Sequence, residues 1–372
     1  MAGIYIHIPF CKQPCSYCNF YFSTSLYFKE QFLAALNKEI KLQSKFLDCE
    51  QVATIYFGGG TPSLLSAVEI EHILNSIHKN FKVGKDVEIT LEANPDDLTS
   101  KKLNALKKAG INRLSIGTQS FFNDDLKLMN RAHHSDEALQ SIQKAQDIGF
   151  HNISIDLIYG IPSMSKEKWL ENLNIAFSQN IQHLSCYALT VEENTPLFHQ
   201  IRKQKIEAPS DVDASTHFDI LMNFARDKNW VHYEISNFCE EGYISKHNTS
   251  YWQQKKYLGL GPAAHSFDGK NRQWNIANNK KYVESLKNDI ISFEVETLSE
   301  KDQFNEAIMI GLRTMWGVNL NQIATKFPEF YAPLLMQLEN IDKSLITFNE
   351  DHLKLTQKGK HFADRIAADL FA

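Results

Sequence analysis

No stretch of this 372-residue chain reaches eighteen consecutive apolar residues, so nothing in it reads as a bilayer-spanning helix. A basic surplus is also missing. Lys and Arg number 39 against 44 Asp and Glu, a net charge of −5, which gives no compositional support for nucleic acid as a partner. The short basic runs at 101–108 and 253–257 have the spacing of solvated helix faces. The start of the chain, MAGIYIHIPFC, lacks the charged region and apolar core of an export signal and reads as a strand. A cytoplasmic place is therefore expected, with peripheral contact at a membrane as the one variation. Cysteine is scarce at six, and Cys49, Cys186 and Cys239 stand alone, which excludes a disulfide framework and suits a reducing compartment. There is no low-complexity tract. No Rossmann glycine signature follows a strand, which argues against a dinucleotide fold.

What the chain does have is three cysteines crowded into CKQPCSYC, at positions 11, 15 and 18. Nearby thiols suit a redox dithiol, half of a zinc site or buried sulfur. Zinc wants a closed tetrahedron, and no second Cys-x-x-Cys follows; His7 is the one nearby residue able to complete it. Thiolates also hold iron–sulfur clusters, which ordinarily take four. A [4Fe–4S] cluster on three would leave one iron open to another ligand.

The first half of the chain alternates strands and helices. Strand patterns occur at 3–8, 54–60, 87–95, 113–120, 152–162 and 183–191. Between them, SAVEIEHILNSIHKNF puts Ile70, Ile73, Leu74, Ile77 and Phe81 on one face. LTSKKLNALKKAG offers Thr99 or Ser100 as cap and Gly110 as stop. SDEALQSIQKAQDIGF and SKEKWLENLNIAFSQN repeat the pattern. Such alternation implies right-handed βαβ units around a parallel sheet, here an α/β fold of the partial (β/α)6 barrel type. In barrels the chemistry collects at the C-terminal ends of strands. That is where the cysteines, the triplet Gly58–Gly60, Glu92 and Gln119 fall, with Asp156 inside the fifth strand. Residues 1–195 are read as the barrel core. Residues 196–295 are read as a segment packing on it, opening with a polar, linker-like stretch to 215 and followed by a helix at 215–229 and a strand at 230–238. Residues 296–372 are read as a small α+β, winged-helix-like domain, with a helix at 300–315, a hairpin turning at 349–351 and a final helix.

The spacing Cys-x3-Cys-x2-Cys resembles that of the radical S-adenosylmethionine (SAM) superfamily. That resemblance implies a [4Fe–4S] cluster on Cys11, Cys15 and Cys18, with SAM on the open iron and cleaved there by one electron from a donor such as flavodoxin or ferredoxin. It also implies the partial barrel. In the pattern of its coproporphyrinogen-oxidase-like branch, GGGTP (Gly59, Gly60 and Thr61) and Glu92 are SAM contacts. Gln119, Arg131 and Asp156 match its ribose and carboxylate ligands, and Tyr5, with Tyr17 inside the cysteine motif, stands beside the cluster. Any one of these residues alone needs no function; a surface arginine or a capping aspartate is ordinary. Their order along successive strand ends is what carries the reading.

Along nearly its whole length the chain resembles the oxygen-independent coproporphyrinogen III oxidase family, and more closely its heme-chaperone branch than the oxidase itself. Phe20 stands where the oxidase has a further cysteine, Cys11 lies ten residues from the start, and HNTSYW (247–252) reproduces that branch's heme-associated motif. A heme site wants an axial imidazole and aromatic cover. His247, Tyr251 and Trp252 supply those types, and a helical turn would set Tyr251 beside the imidazole. His265 of GLGPAAH is a second candidate ligand. Out of context, a histidine among aromatics is more often core than ligand. Two functions are thus expected as alternatives. One is a chaperone that binds heme and passes it to an acceptor protein, with cluster and SAM in support and no catalytic residue of its own. The other is an enzyme that decarboxylates coproporphyrinogen III to protoporphyrinogen IX. A homodimer is compatible with either.

Overall fold

All six strand patterns of the first half form strands in the computed structural model, which describes residues 1–372. They are β1 (Ala2–Ile8), β2 (Val52–Gly59), β3 (Val83–Ala93), β4 (Arg113–Gln119), β5 (Ile153–Tyr159) and β6 (His183–Ala188). They pair in parallel in that order. The helices between them are α1 (Lys29–Leu42), α2 (Ala67–Asn80), α3 (Ser100–Lys108), α4 (Asn123–Leu128), α5 (Ser135–Asp147) and α6 (Lys166–Ser178). The starts of three follow from side-chain chemistry. Ser66 and Glu69 form a reciprocal capping box on α2, while Thr99 and Ser165 cap α3 and α6, each satisfying an orphan N–H of the first turn. Ser135, by contrast, is the first residue of α5, and His134 occupies the cap position.

The chain divides into two units: Met1–Leu221 with Ser245–Glu296, and Met222–Ile244 with Thr297–Ala372. In the first, β6 does not close onto β1. The other neighbour of β1 is a strand, Tyr257–Leu260, that runs parallel to it, and the sheet continues through His265–Phe267, Asn271–Asn275 and Phe293–Thr297. Sequence pattern alone left these strands unassigned, since they run to only three to five residues each. Gly261, at φ +98°, lies so close to β1 that a Cβ would stand 2.5 Å from the carbonyl oxygen of His7. The linker expected after residue 195 instead contains a helix, Pro196–Arg202, because Thr195 caps it and Pro196 takes the first position, where no N–H is needed.

In the second unit, the run at 230–238 is two antiparallel strands, Val231–Glu234 and Asn237–Cys239, folded at Ile235–Ser236. Val318–Asn319, His352–Leu355 and Ile346–Asn349 make a three-stranded antiparallel sheet. The helices Glu300–Leu312, Leu320–Lys326, Pro328–Glu339 and Ala363–Asp369 belong to the same unit. One apolar core holds it together, with Phe304, Ile308, Leu334, Leu353 and Ile366 all buried. No helix in the chain is long and apolar enough to cross a membrane.

Within the first unit, one buried carboxylate ties the added strands to the barrel. Glu39 of α1 receives the Tyr282 hydroxyl (2.6 Å), the Gly261 N–H (2.8 Å) and the Asn275 Nδ2 (2.6 Å). Burial outweighs these donors and pushes its carboxyl from 4.5 up to about 7. A raised carboxyl means that the folded state holds a proton more tightly than the unfolded chain. Its stabilising contribution is therefore complete below pH 4.5 and is lost as pH rises through about 7. At about 1.4 kcal/mol per pKa unit, that loss is roughly 3 kcal/mol. Urea unfolding of Glu39→Gln across this interval is expected to show a flatter pH profile by that amount, with the remaining slope left to other raised carboxyls. An unchanged slope would contradict it.

Candidate functional site

The three cysteines sit on the loop after β1, each half-buried. The loop is stitched down by backbone and amide groups rather than by its own regular structure. Ser16 donates through its N–H to Met129 O (3.0 Å) and through its hydroxyl to Leu128 O (3.0 Å). Asn130 Nδ2 donates to Pro14 O (2.7 Å), and Gln13 returns the contact to Asn130 O (2.8 Å). Leu197 of the unexpected helix donates its N–H to Ser16 O (2.7 Å). Lys12 is ion-paired to Asp96 and Asp97. The loop is therefore anchored to the segment that follows β4, so its shape depends on residues more than a hundred positions away.

No group of three His, Cys or carboxylate side chains converges closely enough to hold a single metal ion, the arrangement that a lone zinc would need. Thiolates of a four-iron cluster each take a different iron and stand apart. Burial pushes the Cys18 thiol up to about 11 and raises Cys11 as well, against a hydrogen bond from Thr61 that favours the Cys11 thiolate. Nearby positive charge favours the thiolate forms of Cys11 and Cys18 against that burial. Arg131 supplies one charge directly, with Nη1 3.1 Å from Cys15 Sγ. Tyr17 is hydrogen-bonded to Cys15, and burial raises its phenol above the ordinary value.

Beside the loop opens a cavity of about 100 Å³ lined by Gly60, Thr61, Pro62, Glu92, Ala93, Asn94, Ser115, Gly117, Gln119, Arg131 and Asp156. Six of the residues expected from the sequence as SAM contacts therefore meet in one place: Gly60, Thr61, Glu92, Gln119, Arg131 and Asp156. Arg131 Nη2 is held by Asn94 Oδ1 (2.7 Å) and Gly117 O (2.9 Å), yet its Nε is buried without a partner. Gln119 ends β4 in the left-handed region, at φ 65°. A Cβ on Gly117 would lie 2.9 Å from the Gln119 amide and 3.1 Å from Arg131 Nη2, so a glycine there leaves both side chains their positions. Glu92 takes the Tyr56 hydroxyl (2.8 Å) and the Gly59 N–H. Asp156 takes Ser115 (3.2 Å) and Ser185. Burial pushes Glu92 up to about 7, helped by the charge of Asp156, and burial pushes Asp156 up to about 6. Two carboxyls short of positive charge and a guanidinium with a spare N–H suit a zwitterionic ligand carrying an amine, a carboxylate and hydroxyls. The residues fit SAM on that ground.

Gly59 does not line the cavity. It has φ +106°, and a Cβ would enter the His7 ring. A Cβ on Gly60 would lie 2.7 Å from Phe10 O and 2.9 Å from Ile8 O. The triplet is therefore glycine chiefly so that β2 can end against the chain leaving β1. Tyr5 also stays outside the lining; its hydroxyl meets His7 Nδ1 at 3.2 Å.

HNTSYW forms the helix Lys246–Trp252, and its turn does bring Tyr251 to His247. Tyr251 Oη is 2.8 Å from Nε2, with the rings edge-on at 5.0 Å. The other ring nitrogen, Nδ1, is 2.8 Å from Thr54 Oγ1. His247 is only 1% exposed, so both of its nitrogens are engaged inside the protein, while Trp252 is half-buried at the end of the same helix. The ring is bonded to Thr54 and fills the space where a Cβ on Gly3 would stand 3.3 Å from its Cε1, near the N-terminal ends of β1 and β2. The cysteines and the cavity lie at the C-terminal ends. His265 is exposed and lies 6.0 Å from the Trp274 ring.

Sequence reading missed Asn94, Ser115, Gly117, Tyr56 and Arg113. A signal for most of them exists. Thr54, Tyr56 and Gly58; Glu88, Thr90 and Glu92; Arg113, Ser115, Gly117 and Gln119; and Ser154 with Asp156 recur at every second position. Parallel strands covered on both faces by apolar layers would instead read as continuous hydrophobic runs.

Residues 5–176 match the radical SAM superfamily, and residues 298–362 match the HemN C-terminal domain. Among curated proteins, the chain is 33% identical to heme chaperone HemW of Bacillus subtilis over 98% of both chains. It is 30% identical to heme chaperone HemW of Lactococcus lactis over 97% of this chain and 95% of that one. Among solved structures, coproporphyrinogen III oxidase (HemN) from Escherichia coli superposes with a TM-score of 0.85 at 22% identity, covering 100% of this chain and 90% of that one. That likeness establishes the fold, a radical SAM barrel with a small C-terminal domain.

The glycine packing makes a direct check possible. Gly60→Ala would drive a methyl group into the backbone that carries the cysteine loop. It is expected to cost about 2 kcal/mol or more in urea unfolding. A neutral substitution would show that the loop is held less tightly than described.

Proposed function

The chain belongs to the heme chaperone HemW family within the radical SAM superfamily, and we propose on that premise that it binds heme and passes it to an acceptor protein in the cytoplasm. In this reading Cys11, Cys15 and Cys18 hold a [4Fe–4S] cluster whose open iron takes SAM. Bound there, the pair supplies one-electron cleavage of SAM, with the electron from a donor of the flavodoxin or ferredoxin kind. The protein's own residues bind and orient. Glu92 receives the ligand's amine, with Gly60 shaping that edge. Arg131 takes its carboxylate, while Gln119 and Asp156 take its hydroxyls. The observation that carries this assignment is the Arg131 guanidinium, which reaches Cys15 on one side and presents a buried, unpartnered Nε on the other.

The chaperone reading is preferred over the oxidase because heme chaperones match nearly the whole chain at 30% and 33% identity, against 22% for the oxidase structure. In keeping with it, Phe20, in the place of the oxidase's additional cysteine, is 68% exposed. Heme needs an imidazole with a free lone pair. His247 would have to surrender the Tyr251 hydroxyl to offer one, whereas His265, exposed beside Trp274, would surrender no hydrogen bond of that kind. His265 is therefore the stronger candidate for the axial ligand.

After anaerobic reconstitution, wild type is expected to hold about four irons per chain, and Cys15→Ser to lose most of them. Heme titrated by absorbance should saturate. His265→Ala should weaken that binding by about tenfold, with His247→Ala weakening it less, and the same wild-type batch should not decarboxylate coproporphyrinogen III. Turnover of coproporphyrinogen with no saturable heme binding would reverse the assignment in favour of the oxidase.

A further inference from the structure

The heme-associated motif lies at the wrong end of the barrel to meet the cluster, and its histidine is bonded as a fixed part of the interior. Burial pushes the His247 imidazole down to about 3, so the ring is neutral, with one N–H and one lone pair shared between Thr54 and Tyr251. The backbone N–H groups of Lys246 and His247 both donate to the Glu88 carboxylate, at 3.2 and 3.1 Å. The first turn of the helix is thereby tied to β3. Every polar atom that could let this ring turn is already held.

The flat face of the ring lies on Tyr56. The centroids are 4.9 Å apart with the planes at 21°. Tyr5 is stacked with both, 6.2 Å from Tyr56 at 24° and 6.4 Å from His247 at 26°. At its far end, the Tyr56 hydroxyl donates to Glu92 Oε1 at 2.8 Å. There is no slack around that bond, since a Cβ on Gly58 would stand 2.9 Å from Tyr5, 3.0 Å from Tyr56 and 3.1 Å from Glu92 Oε1. Glu92 lines the cavity. A ring at the N-terminal end of the sheet thus sets the tilt of a phenol, and the phenol sets a carboxylate at the C-terminal end. We propose that His247 is a positioning residue for SAM, acting through Tyr56 on Glu92, and that HNTSYW is an internal plug supporting the SAM site.

This inference rests on the reading that SAM occupies the cavity beside Glu92. Tyr56 offers a hydroxyl as donor, and its ring packs over the stack. Tyr56→Phe removes the hydroxyl alone and keeps the ring. His247→Gln keeps a planar group with a donor and an acceptor; His247→Ala removes everything. A purely structural histidine would lower the melting temperature of its variants without changing how the folded protein binds SAM.

The test is equilibrium binding of SAM to reconstituted protein, with melting temperature recorded on the same samples. Tyr56→Phe and His247→Ala are each expected to weaken SAM binding by about tenfold. His247→Gln should recover to within about threefold of wild type. The double variant should be no weaker than the worse single one, since both act along one path. An unchanged SAM dissociation constant in Tyr56→Phe would overturn the inference, and that variant decides the matter even if His247→Ala fails to fold. Glu92→Gln separates the two levels. Weaker binding in Glu92→Gln with full binding in Tyr56→Phe would reject the coupling and leave the SAM site standing. Full binding in Glu92→Gln would reject the SAM site and the coupling with it.

Discussion

A parallel sheet wrapped by helices has two faces to fill, and in this barrel the inner one is filled with polar groups. Ile4, Ile6, Ile8, Ile55, Phe57, Ile89, Leu91, Leu114 and Ile116 are buried on alternate positions, and each such side chain is worth about 2 kcal/mol. The positions between them carry Tyr5, Tyr56, Glu92, Arg113, Ser115 and Asp156. Burying that set has a cost unless each group finds a partner. The partners therefore dictate the interior: Tyr56 and Gly59 on Glu92, Ser115 and Ser185 on Asp156, and Thr54 and Tyr251 on His247. Arg113, 1% exposed, is the interior cation whose field lowers both carboxyls and depresses His247. The two carboxyls remain raised despite it, which is why the cavity above them suits an amine.

Arg131 connects this interior to the cysteine loop. A loop without regular structure has little of its own to hold it, and here it takes its shape from the segment after β4. Ser16, Gln13, Pro14 and Cys15 all find their partners between Leu128 and Arg131. The same guanidinium is a wall of the cavity. The position of the thiols and the shape of the ligand pocket are therefore not independent, which is the arrangement that chemistry at a shared iron demands.

Much of this was legible in the sequence, though unevenly. The strands around Ile55 and Ile155 announced themselves through β-branched runs. The helix of Ile70, Ile73, Leu74 and Ile77 did so through its 3.6-residue period, with Ser66 marking its start. The strand-end residues Glu92 and Gln119 stood out because barrel chemistry gathers there, whereas Arg131, beyond α4, was expected only from the family resemblance. Short elements escaped. Pro196–Arg202 hid in a polar stretch, and the turn at Ile235–Ser236 was marked only by the adjoining Asn237 inside what read as one strand. His247 shows another limit. Its residue types suited a heme ligand, but whether a histidine faces solvent or a buried tyrosine depends on which strand the helix lands against, and local pattern does not carry that. Of the GGGTP glycines expected as SAM contacts, Gly60 lines the cavity while Gly59 is turned against the His7 ring.

The central claim is that cluster and SAM meet beside Glu92 and Arg131 while His247 stays locked at the opposite end of the barrel. The measurement that tests it most directly is a crystal structure of the anaerobically reconstituted protein with SAM and heme bound. The account predicts the SAM amine on Glu92 and its carboxylate on Arg131, with His247 still hydrogen-bonded to Thr54 and Tyr251. A heme iron coordinated by His247 Nε2, or SAM bound away from this cavity, would contradict it.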